Sequence, residues 1–133
     1  MVLSGHQTGV SELSFCARAD YIFSGTVGGT VHMWDIAKRT DTVKLLGHQA
    51  RVTCLSYDMA GSTTLLTGSE DTRVKYWDVR SGKAINTFKE HSSKVNSVQF
   101  SPDSRWAASG SDDGALKIWE LSSGKVLFNV AFP

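Results

Sequence analysis

The feature that most constrains this chain is an internal period. His6, His48 and His91 are 42 and 43 residues apart, and Trp34, Trp77 and Trp119 are 43 and 42 apart. The middle copy, residues 47–80, reads GHQARVTCLSYDMAGSTTLLTGSEDTRVKYWDVR: it opens on Gly-His, closes just after Trp-Asp, and holds three short β-type runs between them. Self-similarity at this spacing means that each unit is one supersecondary element, which buries its apolar faces only by stacking on its neighbours. Such a chain is an array first, and its function has to be sought on its surface.

Each unit starts with a run whose apolar positions match: Val10, Leu13, Phe15; then Val52, Leu55, Tyr57; then Val95, Val98, Phe100. The last two of each set are two apart and share one face of a pleated strand, whereas the extra step before them predicts a bulge. Second runs at 21–26, 63–69 and 106–111 are rich in small residues, as strands covered closely on both faces require. Tight turns at 27–29, 70–72 and 112–114 lead to third runs reading VHMWDI, VKYWDV and LKIWEL, which alternate Val31, Met33, Asp35 against His32, Trp34, Ile36. Loops at 38–41, 80–83 and 122–125 precede fourth runs near 42–46, 84–89 and 126–132. No segment keeps apolar positions at helical spacing, so the expected class is all-β with twelve strands.

Composition narrows the function classes. With 41% hydrophobic and 20% charged residues the chain has ordinary globular make-up. A net charge of +1, with 14 Lys and Arg scattered from Arg18 to Lys125, gives no basic stripe for nucleic acid. No apolar run approaches the ~20 residues of a membrane span, and MVLSGHQTGV lacks the pattern of a signal peptide. Cys16 and Cys54 have no CxxC spacing, which argues against a zinc site or a disulfide framework and for reduced thiols. The expectation is a soluble cytoplasmic protein with no cofactor, metal, nucleic-acid or membrane partner. Ser109, His91 and Asp113 have the chemistry of a hydrolase triad, but a triad occurs once with an exposed Ser. Here the matching set recurs, each time with a Trp. With no G-x-S-x-G, P-loop or H-E-x-x-H present, the reading is structural and non-enzymatic.

These motifs resemble the WD-repeat (WD40) β-propeller family over essentially the whole chain. The resemblance implies three four-stranded antiparallel blades, at about 5–46, 47–89 and 90–133, each tied by a buried Asp, His, Ser/Thr and Trp tetrad. Carried over by position, the tetrads are His48, Thr67, Asp71, Trp77 and His91, Ser109, Asp113, Trp119. The first blade supplies His6, Ser24 and Trp34, with Gly28 where the Asp should stand. Glu90 and Glu120 also depart from the Gly-His and Trp-Asp wording. Within the family, DTRVKYWDVRSGK (71–83) and SPDSRWAASGSDDGALKIWELSSGK (101–125) are similar to the katanin-type WD-repeat regulatory subunits. That likeness implies a non-catalytic targeting subunit for a microtubule-severing ATPase, with tubulin or centrosomal proteins as partners and a cytoskeletal or centrosomal location.

Family members bind partners on the narrow face formed by first-strand entrances and the turns before third strands. In this chain that face is Ser11, Arg51, Thr53, Glu70, Lys94, Asn96 and Asp112, a mixed-charge set suited to protein. A second candidate is the stretch from Leu65-Leu66-Thr67-Gly68 through Trp77-Asp78-Val79-Arg80, which resembles the WD-x-R box that docks substrate receptors onto cullin-type ubiquitin ligases; Arg80 is its telling residue. Three blades are too few for a closed ring. Either the chain is a partial propeller, a reading that Val2-Leu3-Ser4 before His6 favours, or a homodimer completes a six-bladed ring.

Overall fold

The computed structural model describes residues 9–15, 21–38, 40–58 and 63–131. They form twelve strands and, among the described residues, no helix. The first sheet is β1 (Val10–Phe15), β2 (Tyr21–Thr26), β3 (Val31–Asp35) and β4 (Thr40–Leu45). The second is β5 (Val52–Tyr57), β6 (Thr64–Ser69), β7 (Val74–Asp78) and β8 (Lys83–Phe88). The third is β9 (Val95–Phe100), β10 (Trp106–Ser111), β11 (Ala115–Glu120) and β12 (Val126–Ala131). Every sheet is an antiparallel meander in chain order, so each unit of the sequence period is one sheet and the class is all-β.

The expected bulges are present. Register shifts between Val10 and Glu12, between Val52 and Cys54, and opposite Gly110 and Ser111. In β5 the extra residue is Thr53, and the shift brings Val52 and Leu55 to the same side although they are three apart. The loops before the fourth strands are tighter than the sequence reading: β4 begins at Thr40 and β8 at Lys83. The Asp of each Trp-Asp pair explains it. Asp35 Oδ1 accepts the Lys38 N–H (3.1 Å) and Asp78 Oδ1 the Arg80 N–H (2.9 Å), while Gly82, at φ +73°, closes its turn with an N–H bond to the Asp78 carbonyl.

Two apolar layers lie between the sheets. Phe23, Val31 and Leu45 of the first sheet pack on Val52, Leu65, Trp77 and Val79 of the second. Leu66, Val74 and Phe88 of the second pack on Val95, Val98, Phe100, Ala107, Trp119 and Leu121 of the third. Glycine sets the closeness of these layers. A Cβ on Gly25 would lie 2.6 Å from Val52 Cγ1, and one on Gly68 would lie 2.7 Å from Val95 Cγ1 and 2.5 Å from Cys54 Sγ. Each valine of an incoming first strand therefore sits in a notch left by a glycine in the second strand of the sheet before it.

Polar ties cross the second layer as well. The Thr53 hydroxyl donates to the Val95 carbonyl. Asp58, buried between sheets, accepts from Thr64 Oγ1 (3.0 Å) in its own sheet and from Ser104 Oγ in the next. The opposite face of the third sheet has no such cover among the described residues: Trp106, Leu116, Phe128 and Val130 stand 46%, 37%, 64% and 42% exposed.

Candidate functional site

The site is built at the end of the blades where second strands turn into third strands. In the second sheet, Ser69 ends β6, and its hydroxyl donates to the carbonyls of Ala50 (3.1 Å) and Arg51 (2.8 Å) and accepts the Asp71 N–H (3.1 Å). Thr72 follows at φ +76°, a left-handed conformation rare for a β-branched residue. Held this way, the turn aims Asp71 at the loop carrying His48.

The resulting chain of hydrogen bonds has one consistent direction. An indole N–H can only donate, so Trp77 Nε1 donates to Thr67 Oγ1 (2.8 Å). The Thr67 proton then goes to His48 Nε2 (2.6 Å), and His48 Nδ1–H donates to Asp71 Oδ2 (2.9 Å). Asp71 also accepts the backbone N–H groups of Gln49 (3.0 Å) and Arg73 (2.9 Å). Burial alone would raise its carboxyl, but the His48 and backbone bonds outweigh it and hold the pKa at about 2. The third sheet repeats the arrangement: Trp119 to Ser109 (2.8 Å), Ser109 to His91 (2.7 Å), His91 to Asp113 (3.1 Å). Burial pushes His91 down, against the pull of Asp113, while bonds from Ser92, Ala115 and His91 overcome burial to bring Asp113 to about 2. Ser109 and Thr67 are 1% and 0% exposed, and each hydroxyl is held between its Trp and its His inside the blade.

In the first sheet Trp34 Nε1 donates to Ser24 Oγ (2.8 Å), and His6 lies outside the described residues. Gly28 occupies the Asp position. Its neighbour Gly29, at φ +94°, has a second role: a Cβ there would stand 2.5 Å from the His48 carbonyl oxygen and 2.8 Å from that of Ala50. The first turn is thus pressed against the loop of the next blade.

Around these turns stand the polar candidates. Lys94 Nζ lies 3.6 Å from Asp112 Oδ2, both about half exposed, and Asn96 Nδ2 donates to the other oxygen of Asp112. Arg51 and Glu70 are joined through the backbone, Glu70 N–H to the Arg51 carbonyl (2.9 Å); both side chains are exposed, and no ion pair joins them. Thr53, half-buried, donates its hydroxyl to the Val95 carbonyl. Ser11 lies in β1, and its side chain is outside the described residues. Arg80 sits at the other end of the blade, 76% exposed, with Nε 3.8 Å from Asp78 Oδ1. Among the described residues no group of His, Cys, Asp or Glu is gathered as a metal site.

Three features escaped the sequence reading. Ser69 and Ser111 anchor their turns to the preceding loops, Ser111 through Ser93 (3.0 Å) and Lys94 (2.8 Å); their matching place in the repeat was the available signal. Lys75 and Lys117 are 8% and 5% exposed, and Lys75 lies 5.7 Å over the Trp77 ring with Nζ bonded to Thr87 Oγ1 (3.1 Å). His32 takes the same place in the first sheet, stacked 5.6 Å from Trp34. Asp58 had no signal, because its partner Ser104 is in another repeat.

Four-stranded meanders packed face to face, two of them locked by a buried Trp-hydroxyl-His-Asp chain, define the blades of a β-propeller. The sequence model described as "WD domain, G-beta repeat" matches residues 1–35, 39–78 and 82–120, and the chain belongs to that WD-repeat family. Similar proteins include the p21-activated protein kinase-interacting protein 1-like of Xenopus laevis, 31% identical over 78% of this chain and 28% of that protein. Eukaryotic translation initiation factor 3 subunit I of Pyricularia oryzae is 30% identical over 77% of this chain and 30% of its own length. Among solved structures, "Structure of U3-55K" superposes with a TM-score of 0.92 at 20% identity, covering 99% of this chain and 42% of that one. The chain thus spans less than a third of the length of these two relatives.

Proposed function

We propose that the chain is a protein-interaction scaffold that binds partners through the narrow face carrying Arg51, Glu70, Lys94, Asn96 and Asp112. The observation that carries this reading is the exposed, mixed-charge set at the rigid end of the blades, held there by the Ser69 and Ser111 anchors and by the buried tetrads. Opposed charges on a fixed framework give specificity toward another protein more than raw affinity. The names of the relatives, one an interacting protein and one a subunit, are in keeping with it. The test is a double charge reversal, Arg51→Glu with Lys94→Glu, in the full-length protein. The melting temperature should hold while co-purified partners are lost; an unchanged set of partners would remove the narrow face from the reading.

The katanin-type role rests on the wording of residues 71–83 and 101–125, and neither relative named above carries a severing name. Its test is direct binding to a purified severing ATPase or to tubulin. A second reading, a substrate receptor on a cullin-type ubiquitin ligase, is favoured by the 76% exposure of Arg80. Capture of the propeller adaptor by the wild type and its loss with Arg80→Ala would support this reading, and no capture by the wild type would end it.

A further inference from the structure

The seam between the second and third sheets opens into a groove of about 760 Å³ at the end of the blades away from the tetrads, within the ~300–1,000 Å³ of ligand clefts. Buried Leu121 and half-buried Tyr76 form its floor. Ile85 of β8, 51% exposed, makes one rim, and Arg105 with Trp106 at the start of β10 makes the other. The walls are fixed from below. Tyr76 lies edge-on to Phe100 of the third sheet, ring centroids 6.2 Å apart. Ser104, at φ +59°, lines one end and gives its hydroxyl to Asp58 of the second sheet. The Arg105 side chain is exposed and makes no ion pair among the described residues. Its neighbour Asp103 accepts the Ser101 hydroxyl (2.7 Å) and the Arg105 N–H (3.2 Å), and Glu120 accepts from Ser122 Oγ (3.4 Å).

The first junction shares this framework and not its chemistry. The Val79 N–H bonds to the Thr63 carbonyl (3.0 Å) as the Leu121 N–H does to that of Arg105 (3.1 Å), so Thr63 takes the place of Arg105. Thr64 opens β6 where Trp106 opens β10. Met33 precedes Trp34 where Tyr76 precedes Trp77, and Thr42 stands in β4 where Ile85 stands in β8. The guanidinium, the two aromatic rings and the aliphatic rim come together at the second junction alone.

We propose that this groove binds an extended segment of another protein, with an aliphatic or aromatic side chain seated on Tyr76, Leu121 and Ile85 and an acidic side chain beside it paired with Arg105. Charge complementarity selects the occupant. A guanidinium with no internal partner, next to apolar surface, is matched by a carboxylate, which it can hold through two parallel bonds. Glu120, at the end of β11, also lines the groove and opposes a run of acids. One acid beside an apolar residue therefore fits, and a uniformly acidic tail does not. Trp, Tyr and Arg are the side chains that carry most of the energy where proteins bind, and the groove gathers one of each. Because the Tyr76–Phe100 contact and the Asp58–Ser104 bond hold the walls before anything binds, little ordering opposes docking. The groove lies at the opposite end of the blades from Arg51, Glu70, Lys94, Asn96 and Asp112, and it does not depend on that face binding anything.

The test is selection of short random peptides displayed on phage against the full-length protein, followed by fluorescence-anisotropy titration of the enriched sequences. These should share an apolar residue next to Asp or Glu. Arg105→Ala should weaken their binding about tenfold or more. Arg105→Glu should reverse the preference, taking the same peptide with Lys at the acidic position, which a merely structural role for Arg105 would not produce. Ile85→Asp should abolish binding of both peptides. Both side chains are exposed, so these variants should keep the wild-type melting temperature. Arg51→Glu with Lys94→Glu should leave peptide binding unchanged. Enrichment of no apolar-acidic pair overturns the proposal, and so does a pair whose binding Arg105→Glu and Ile85→Asp leave untouched. Binding lost only in the narrow-face double variant also overturns it and places the peptide on that face.

Discussion

The tetrad makes a sharp claim at Thr67. Its hydroxyl is fully buried and serves two partners at once, accepting from Trp77 Nε1 at 2.8 Å and donating to His48 Nε2 at 2.6 Å. Thr67→Val keeps the shape and removes the oxygen, which strands an indole N–H and an imidazole nitrogen beyond the reach of water. Each stranded group costs about 1–3 kcal/mol, so the variant should lose about 2–5 kcal/mol. Thr67→Ser is the control. It keeps the hydroxyl, as Ser109 does in the third sheet, and gives up one methyl, a loss of about 1 kcal/mol. At about 4 °C per kcal/mol for a chain of this size, the two should part by roughly 5–15 °C in melting temperature. Urea unfolding followed by circular dichroism and tryptophan fluorescence measures the same gap. A Val variant as stable as the Ser variant would refute the hydrogen-bonded account and reduce Thr67 to a packing residue.

Other expectations follow from the same geometry. Thr72→Gly should stabilise the chain by about 1 kcal/mol, since a β-branched residue at φ +76° gives way to the glycine that Gly29 and Gly114 already supply at φ +94° and +80°; a lower urea midpoint would mean that the Thr72 side chain contributes more than its strain costs. Gly68→Ala puts a Cβ 2.5 Å from Cys54 Sγ and 2.7 Å from Val95 Cγ1, and overpacking of this kind should cost about 1–3 kcal/mol, whereas Gly110→Ala should cost far less; equal losses would reject the notch. Stability should fall with acid in two steps. His91, lowered by burial from 6.5, resists the proton that the unfolded chain takes up, so its contribution is full above pH 6.5 and declines as pH drops below it. Asp71 and Asp113, lowered from 3.8 to about 2, contribute fully above 3.8 and lose that contribution between 3.8 and about 2. Urea midpoints measured from about pH 8 to about pH 2 should show both steps, with His91→Gln removing the upper one.

The sequence carried the fold because the fold is local and repeated. A 42- to 43-residue period, turn glycines and alternating third strands are enough to place twelve strands, and even the bulge at Thr53 was visible as the odd spacing of Val52 and Leu55. The tetrads were legible for the same reason, each lying within one unit. What crosses between units was not. Thr53 looked like a surface residue until the structure turned its hydroxyl to Val95, and Gly25 and Gly68 looked like generic small residues until Val52 and Val95 lay against them. Trp106 opens a run that reads as rich in small residues, and it stands nearly half exposed on the open face. Periodicity reports what every unit shares, and the surface of a repeat protein is decided by the differences.

The Asp58 bridge gives those differences a thermodynamic form. Its carboxylate draws one hydroxyl from its own sheet and one from the next, so a single buried acid ties the second sheet to the third. The corresponding position in the third sheet is the neutral Ser101, whose hydroxyl is spent within its own turn on Asp103 at 2.7 Å. In a linear array whose stability is a sum of unit terms and neighbour couplings, this adds a polar part to the coupling of the second and third sheets. Those two blades should therefore open together, as one cooperative block, under force or partial denaturation.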